Sequence, residues 1–364
     1  MRLMWIIVAF CVLTVMGMPA LIYADERTDL GYFTLQDERG ETITMTGREL
    51  DPGDRYIAAD NRLFEVIKTE EDTVYVQYLE TIVLPEITEE LLGTQVGGVP
   101  GGPSGGANGV VGIYHTHNAE SYVPTSGTES KDDGRGDVLQ VGKVLADAME
   151  ELGVTVYWSD NSHIPHDGQA YGRSRRTALE LLQKGPATLV DVHRDATPSE
   201  VYDAEIDGVP TTKVRIVVGR QNQNRAANLE YAKRIKAVAD KFYPGIIEGI
   251  FDARGNYNQD LGPKMILLEF GAHTNRLEQA QQAAEFFAKV IPAAAGLTST
   301  TQKPAQEQIG RGAGRSIVWM IVVVAVVGVV FILISQGKIG SLAGFFRREA
   351  GLASRGDDDT DDPQ

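Results

Sequence analysis

Histidine and glutamate side chains stand at the ends of apolar runs in this sequence. His117 and Glu120 follow one such run, His193 ends a second, and Glu269 lies within a third. An isolated charge is costly to bury, so a glutamate inside an apolar strand indicates a partner or a function. Because the carboxyl ends of parallel strands meet at one edge of a sheet, we expect these four side chains to converge.

Imidazoles and carboxylates that converge are ligands for a divalent metal ion. A catalytic zinc has three protein ligands and one open position, and two histidines with one glutamate are an established set. The single cysteine, Cys11, lies in the N-terminal apolar segment, so a processed chain would offer no thiolate. The residue types therefore predict a zinc site, and they leave open which acid is a ligand.

Each of these residues also has a purely structural interpretation. A histidine at a strand end can donate to a backbone carbonyl, and Glu120 can be a solvated acid of a loop. Glu269 can form a buried salt bridge, for which Arg194, next to His193, is the candidate partner. The joint arrangement of two histidines and two acids favours the metal site over these alternatives.

Residues beside the candidate ligands could orient or replace them. Asp191 and Asp195 flank His193, and a carboxylate that accepts from the second ring nitrogen is a usual companion of a metal-bound imidazole. His115 lies two residues before His117 and is near enough in a loop to take its place as ligand. The sequence therefore predicts carboxylates that accept from His193 and orient its ring, and it leaves two candidates for the first histidine.

The remaining histidines fall in predicted loops. His163 and the pair His166-Asp167 come after the second strand, and we interpret them as surface or substrate contacts. His273 follows Glu269 closely and is either a turn residue or a substrate contact. These positions carry no metal-ligand prediction.

The elements that would position these residues alternate along the chain. Apolar runs predict strands, and apolar residues recurring every three or four positions predict helices between them. The predicted strands are 110–115, 154–158, 187–192, 214–218 and 265–270, and the predicted helices are 137–152, 173–183, 228–242 and 277–291. Such alternation predicts an α/β fold, with a mostly parallel sheet and helices on both faces. Asp137 is the expected cap of the first helix.

Two linkers divide the chain into domains. Residues 93–109 are nearly half glycine and cannot pack a core, and a second linker covers 298–315. Between them lies the predicted catalytic domain, 110–297. Residues 25–92 contain short β-branched and aromatic runs, which predict a small β-rich domain with a docking or regulatory role.

Both ends of the chain carry apolar segments typical of membrane targeting. Residues 1–24 are expected to be a secretory signal, with an uncleaved anchor as the alternative. Residues 316–335 contain no charge, and twenty residues suit a hydrocarbon core of roughly 30 Å. Basic residues are more numerous after this segment than before it, which predicts a cytoplasmic tail at 336–364. The catalytic domain is then extracytoplasmic, at the cell membrane.

The net charge of the chain excludes one class of partner. Thirty-four basic residues against fifty acidic ones give a net charge of −16. A phosphate backbone would be repelled at long range, so we expect no nucleic-acid partner. Part of the excess lies in an acidic run at 357–362, which reads as a solvated end.

Four segments resemble the signature blocks of the stage II sporulation protein P family. They occur in the family's order within residues 110–292, and several blocks together are far more specific than any one alone. They are IYHTHNAESY at 113–122, VDVHRD at 190–195, YNQD at 257–260 and LEFGAHTN at 268–275.

The resemblance implies a zinc-dependent N-acetylmuramoyl-L-alanine amidase, related in fold to the type-3 amidases, with peptidoglycan as substrate. It also implies a part in septal wall remodelling and engulfment during sporulation, alongside a lytic transglycosylase and a membrane scaffold protein. A C-terminal membrane helix departs from the family pattern, which has its anchor mainly at the N-terminus. Sporulation and vegetative cell separation therefore both stay open.

The resemblance also assigns roles to individual residues. His117 and His193 match the zinc histidines, and Glu269 matches the catalytic acid that takes a proton from water. Glu120 is the expected acidic ligand, but related amidases place theirs further downstream, so Glu129 and Asp137 stay as alternatives. Four further polar residues are candidate contacts to the glycan or the stem peptide: Tyr122, Asn258, Gln259 and Asn275.

Two other functions compete with the amidase. A zinc endopeptidase would cut between stem peptides instead of at the sugar. A wall-binding scaffold without catalysis would bind peptidoglycan and release nothing. The presence of every expected polar residue favours an enzyme.

Overall fold

The structure, a computed structural model, describes Arg27, Asp29 and residues 31–88 and 109–297. No helix within this described part of the chain is both long and apolar enough to cross a membrane. Five predicted segments lie outside the described residues, except for Gly109 at the end of the first linker: the signal or anchor at 1–24, the glycine-rich linker at 93–109, the linker at 298–315, the transmembrane helix at 316–335 and the tail at 336–364. The membrane assignments therefore stay predictions.

The strands of the described residues fall into an N-terminal group and a later group. The first group is β1 (Phe33–Gln36), β2 (Thr42–Thr46), β3 (Arg55–Ala58), β4 (Arg62–Glu70) and β5 (Thr73–Thr81). The second is β6 (Val110–Tyr114), β7 (Thr155–Trp158), β8 (Thr188–Asp195), β9 (Asp203–Ile206), β10 (Val209–Thr212), β11 (Val214–Gly219), β12 (Ile247–Ala253) and β13 (Met265–Ala272).

Helices alternate with the strands of the second group, as the sequence pattern predicts. They are α1 (Val123–Ser126), α2 (Val138–Glu151), α3 (Ala170–Leu182), α4 (Arg225–Phe242) and α5 (Leu277–Ala295). The predicted apolar series of α2 is buried at Val138, Val141, Leu145 and Met149, whereas Leu152, its last member, follows the helix and is half-buried. Each such side chain contributes roughly 1.5–3 kcal/mol when it leaves water. Asp137 stands before this helix, but its side chain makes no capping bond, contrary to the prediction.

Eleven strands form one sheet, in the order β2-β1-β5-β4-β3-β12-β11-β13-β8-β6-β7, while β9 and β10 form a separate hairpin. Among the six strands from β12 to β7, four of the five pairings are parallel and the β11–β13 pairing is antiparallel. The α/β class and the largely parallel sheet are thus confirmed for this part. The carboxyl ends of β6, β8 and β13 consequently meet at one edge.

Helices cover both faces of these strands. Side chains of α2, α4 and α5 share one buried cluster with residues such as Ile113, Val190 and Leu268 from the sheet. Ala178 and Leu181 of α3 instead pack with Leu189 and Met265, which point to the opposite face. Successive residues of a strand alternate between faces, so β6, β8 and β13 each contribute to both clusters.

The N-terminal strands continue this same sheet. β3 pairs antiparallel with β12, with Ala58 opposite Gly249 and Arg55 opposite Asp252. β4 and β5 extend the antiparallel order, and β1 pairs parallel with β5 and antiparallel with β2. The sequence predicted a β-rich unit at 25–92 set apart from the catalytic domain. In the structure its strands are hydrogen-bonded into the catalytic sheet.

The sequence pattern missed β12, which makes that junction. Its central residues include Glu248, Gly249 and Asp252, so it does not read as an apolar run. All seven residues of β12 are nevertheless buried. The acidic side chains are tolerated because each is paired with an arginine: Glu248 with Arg215, and Asp252 with Arg225.

Candidate metal centre

Three strands bring the predicted site residues to one edge of the sheet. His117 and Glu120 lie in the turn that follows β6, His193 lies in β8, and Glu269 lies in β13. β8 pairs parallel with both β6 and β13, and Glu269 stands directly opposite His193 in the register. The convergence expected from the sequence is therefore what the parallel pairing produces.

Glu120 lies between the two histidines. Its Oε1 atom is 3.5 Å from Nδ1 of His117 and 3.5 Å from Nδ1 of His193. The centroids of the two imidazole rings are 5.0 Å apart. All three side chains are buried. Two imidazoles and a carboxylate oxygen therefore face one small space.

A close backbone contact holds the turn that carries Glu120. A Cβ atom at Gly136 would lie 2.2 Å from the Glu120 carbonyl oxygen, so only glycine fits there. The Gly136 N–H donates to the Asn118 carbonyl (2.9 Å), and the Val138 N–H donates to the Glu120 carbonyl (3.1 Å). The start of α2 thus fixes the path of the chain between His117 and Glu120.

The chemistry of these atoms fits a zinc ion. Within the described part of the chain, Glu120 Oε1 and His193 Nδ1 are buried and have no hydrogen-bond partner. A buried polar atom left unsatisfied costs about 1–3 kcal/mol. A divalent cation in this space would satisfy both atoms, and two nitrogens with one carboxylate oxygen are donors that zinc uses.

The charges around the site favour a positive charge at its centre. Burial would lower the pKa of His193, but the carboxylates of Asp191 and Glu120 outweigh burial and raise that pKa well above its usual value. Burial would raise the pKa of Glu120, but Arg194 and His193 outweigh burial and lower that pKa well below its usual value. The surroundings of His193 therefore stabilise a cation, whether a proton or a metal ion.

Asp191 is the acid that supports His193. Its Oδ1 lies 3.0 Å from His193 Nε2, on the side of the ring away from Glu120. The carboxylate is held in turn by Thr116, whose N–H (2.8 Å) and hydroxyl (2.6 Å) both donate to it. This arrangement orients the ring so that Nδ1 points at Glu120.

Asp195, the other acid predicted to support His193, serves a different region. Its carboxylate accepts from the Gly47 N–H (2.9 Å) and the Tyr202 hydroxyl (2.9 Å), and it pairs with the buried guanidinium of Arg215. Residues two apart on a regular strand point to the same face, but the β8–β13 register shifts between His193 and Asp195, and the N-terminal segment covers this end of β8. The prediction for Asp195 is therefore corrected: it anchors the N-terminal segment.

His115 is occupied by structural contacts. Its Nδ1 lies 3.2 Å from the Val192 carbonyl, and its Nε2 accepts from the indole N–H of Trp158 at 3.1 Å. Burial lowers the pKa of His115 to about 4, which keeps the ring neutral. Both ring nitrogens are engaged, and His117, not His115, faces Glu120.

Of the two loop histidines predicted at the surface, His163 is buried and His166 is exposed. His163 was expected at the surface, but it is buried, with Nδ1 2.8 Å from the His115 carbonyl and Nε2 2.8 Å from the Thr177 hydroxyl. His166 is exposed, and its ring centroid lies 4.3 Å from that of His117. Donor atoms of His117, Glu120 and His166 all lie within 4.8 Å of one another.

The described residues therefore offer two candidates for the third ligand, His193 and His166. We favour His193, because it is buried and Asp191 orients it, as is usual for a metal-bound imidazole. His166 lies at the exposed side of the same space. No strand-end signal marks His166 in the sequence, so the pattern gave no reason to place it there.

Of the two alternative acidic ligands, Asp137 is engaged elsewhere. The Asp137 carboxylate accepts from Lys131 Nζ (2.6 Å) and from the Tyr122 N–H (3.3 Å), so it ties down the loop before α2. Glu129 contributes its backbone carbonyl, which accepts from Ser121 N–H at 2.8 Å. Glu120 is the acid that lies between the histidines.

The residues predicted to contact substrate hold the fold together. All four are buried: Tyr122, Asn258, Gln259 and Asn275. The Tyr122 hydroxyl donates to the Phe270 carbonyl (2.8 Å), and the Gln259 amide joins Gly219 N–H (2.8 Å) to the Val217 carbonyl (2.9 Å). The two asparagines likewise donate to backbone carbonyls of other segments, Asn258 to Tyr171 and Asn275 to Ser199. These bonds tie all four residues to the fold, and their assignment as substrate contacts stays a prediction.

Glu269 has an arginine partner that the sequence did not suggest. Its Oε1 accepts from Nη2 of Arg48 at 2.8 Å, and both side chains are at most 3% exposed. Arg194, the expected partner, instead lies 3.8 Å from Glu120 Oε1 and donates its backbone N–H to Glu120 Oε2 at 3.0 Å. Arg48 belongs to the segment after β2, far from the other site residues in sequence.

Tyr171 of α3 forms a wall of the site. Its ring centroid lies 5.3 Å from that of His117 and 6.3 Å from that of His193, and it is nearly parallel to the latter ring. Its ring also meets the edge of Tyr257. An aromatic wall excludes water from one side of the imidazoles, and no spacing in the sequence identified it.

Fold and site together define an α/β protein with a buried histidine–carboxylate centre at the carboxyl ends of its strands. Residues 64–292 match the family described as Stage II sporulation protein P, and the chain belongs to this family. It is 34% identical over 200 residues to the stage II sporulation protein P of Bacillus subtilis (strain 168). That match covers 50% of each protein, so the chain spans about half the length of this curated relative.

The chain is also similar to solved amidase structures. The N-acetylmuramoyl-L-alanine amidase AmiC2 of Nostoc punctiforme is 19% identical, with 50% of this chain and 94% of that chain covered and a TM-score of 0.34. The amidase Ami1 of Mycobacterium smegmatis is 14% identical, with 52% and 98% covered and a TM-score of 0.38. The amidase CwlD of Clostridioides difficile, solved with the lipoprotein GerS, is 16% identical, with 51% and 96% covered and a TM-score of 0.36.

Proposed function

We propose that this protein is a zinc-dependent peptidoglycan hydrolase. The bond we assign to it joins the lactyl group of N-acetylmuramic acid to L-alanine, and the setting is septal wall remodelling during sporulation. The observation that carries the proposal is Glu120 Oε1 lying 3.5 Å from an imidazole nitrogen on each side, with Glu269 on the next strand. Membership of the stage II sporulation protein P family supports the biological setting.

His117, Glu120 and His193 would hold the zinc ion. When bound, zinc supplies Lewis acidity, which activates water and polarises an amide carbonyl. Asp191 keeps Nδ1 of His193 directed into the site by holding the opposite side of the ring. The N–H of Arg194 holds Glu120 Oε2, which leaves Oε1 facing the two imidazoles.

Glu269 is the general base and then the general acid. It takes a proton from the attacking water and delivers that proton to the leaving nitrogen of L-alanine. Its place opposite His193 in the β8–β13 register puts its carboxylate on the same edge as the ligands. The metal ligands and the proton carrier thus come from separate residues, as the chemistry requires.

The test is digestion of purified sacculi by the purified full-length chain, with and without a chelator. The chain should release stem peptides with a free L-alanine amino group, and a chelator should stop the release until zinc is added back. Glu269→Gln should keep zinc and lose turnover, while the exposed control Glu278→Gln should keep both. Unchanged turnover in Glu269→Gln would remove Glu269 from the mechanism.

Mass spectrometry of the products separates the competing functions. New ends within crosslinked stem peptides would identify an endopeptidase. Binding to sacculi without any release, in the presence of zinc, would identify a wall-binding scaffold. Release of intact stem peptides from the sugar supports the amidase.

The cellular placement is part of the same proposal. We place the catalytic part outside the cytoplasm, held at the cell membrane by residues 316–335 with a cytoplasmic tail. A lytic transglycosylase and a membrane scaffold protein are the proposed partners. Protease added to intact cells should cut the catalytic part and spare a tag on the C-terminus, and the reverse pattern would contradict this topology.

A further inference from the structure

We propose that Arg48 is a positioning residue for Glu269, so that the N-terminal strands complete the active site of the catalytic part. The inference rests on the proposed function, in which Glu269 carries the proton. Arg48 lies before residues 64–292, which match the family, and it came from a segment in which the sequence showed no chemistry. The strands β1–β5 would then be a working part of the enzyme.

The Arg48 guanidinium makes contacts on two sides. Nη2 donates to Glu269 Oε1 at 2.8 Å, and Nη1 donates to the Tyr257 hydroxyl at 2.9 Å. The guanidinium carbon also lies 4.9 Å from the centroid of the Tyr257 ring. The Tyr257 hydroxyl in turn donates to the Arg254 carbonyl at 2.5 Å. A guanidinium fixed in this way has little freedom to leave the carboxylate.

The segment that carries Arg48 is itself fixed to the catalytic strands. The Gly47 N–H donates to Asp195 (2.9 Å), two residues beyond His193 on β8. A Cβ atom at Gly47 would lie 2.7 Å from that of Ala196, so the contact requires glycine. Arg215 of β11 donates to the Met45 carbonyl at 2.9 Å. Contacts on both sides of β13 therefore set the position of Arg48.

Two consequences follow for Glu269. A buried carboxylate is costly without a counter-charge, and the guanidinium of Arg48 offsets that cost. The bond to Oε1 also restricts the rotamers of the glutamate, because a charge-assisted hydrogen bond is directional. A general base must lie within about 2.6–3.2 Å of the oxygen atom whose proton it takes, so its position limits the rate.

The experiment compares the full-length chain with Arg48→Ala and Arg48→Lys on sacculi and on a soluble muropeptide. Arg48→Ala should lower kcat about 100-fold, the size of effect expected from a misplaced catalytic group, with KM within about twofold. Arg48→Lys should recover part of the rate. Millimolar guanidinium ion should also raise the rate of Arg48→Ala and leave the wild type unchanged.

Controls separate positioning from loss of fold. Arg55→Ala breaks the Arg55–Glu65 ion pair on the same N-terminal strands and should keep full kcat. Zinc content and thermal midpoint are measured for every variant. If Arg48→Ala does not fold, Tyr257→Phe removes one contact of Arg48 without leaving a buried charge unpaired. Tyr257→Phe should lower kcat about tenfold, because a small displacement of the Arg48 guanidinium costs less than its removal.

Each outcome decides between the alternatives. The proposal would be overturned if Arg48→Ala folded, bound zinc and had an unchanged or raised kcat. It would also be overturned if the loss of kcat followed the fall in thermal midpoint and guanidinium ion did not restore the rate. The wild-type chain reports separately on the proposed function. If the wild-type chain cuts a bond within the stem peptide instead, the amidase assignment fails. The Arg48 variants can still be compared with the wild type by their rates of cutting that bond. If it cuts neither bond, both proposals fall.

Discussion

Nδ1 of His193 lies 3.5 Å from Oε1 of Glu120, and both atoms are buried. The two residues come from different strand ends, and Glu120 reaches the same distance to His117 on its other side. Two imidazoles therefore approach one carboxylate oxygen from opposite sides. A cation between these atoms accounts for an arrangement that would otherwise be costly.

The first prediction concerns Asp191, which orients His193. Asp191→Ala should weaken zinc binding about 10–100-fold, the range typical for the loss of a group that supports a metal-bound histidine. Competition with a fluorescent zinc chelator measures the affinity. The exposed Asp207→Asn should bind zinc as the wild type does. An affinity for zinc that Asp191→Ala leaves unchanged would mean that His193 is not a ligand.

A second prediction separates the two neighbouring histidines. His117→Gln should lose bound zinc, whereas His115→Gln should keep it, because both ring nitrogens of His115 are engaged by Val192 and Trp158. His115→Gln should instead lower the free energy of unfolding by about 1–3 kcal/mol, since it leaves buried partners unsatisfied. Metal analysis and urea denaturation give the two readouts. The opposite pattern of zinc retention would exchange the roles of the two residues.

The third prediction concerns the junction between the N-terminal strands and the catalytic strands. Arg215 is buried, its Nε lies 2.6 Å from Glu248 Oε2, and it also pairs with Asp195. Arg215→Ala should lower the free energy of unfolding by about 3–5 kcal/mol, because two carboxylates stay buried without their counter-charge.

Its control is Lys68→Ala, which breaks an ion pair between two exposed side chains of β4, Lys68 and Glu70. That change should leave the free energy of unfolding nearly the same, because exposed ion pairs contribute little. Urea denaturation of both variants measures the difference. Equal stability of the two variants would show that the buried network does not hold the junction.

The strand ends made the site predictable from the sequence. Apolar runs that finish in His117, His193 and Glu269 indicate parallel strands, and parallel strands bring such ends together. The sequence could not give the partners of these residues. Arg48 reaches Glu269 through pairings that join β3 to β12, and no local pattern encodes which distant strands pair.

The polar residues near the strand ends show a second limit of prediction from the sequence. Tyr122 and Gln259 look available for substrate in the sequence, but both are buried and bond backbone groups of distant segments. A polar side chain beside a site serves equally well to satisfy the backbone there. Residue type alone does not distinguish substrate binding from hydrogen bonding to the backbone. Only the contacts in the folded protein show the second use.

Anomalous diffraction at the zinc edge, from crystals of the zinc-loaded chain, tests the central claim most directly. We predict one peak, about 2.0–2.2 Å from a nitrogen of His117, a nitrogen of His193 and an oxygen of Glu120. A zinc peak bound elsewhere, or none in the space between these three side chains, would contradict the account.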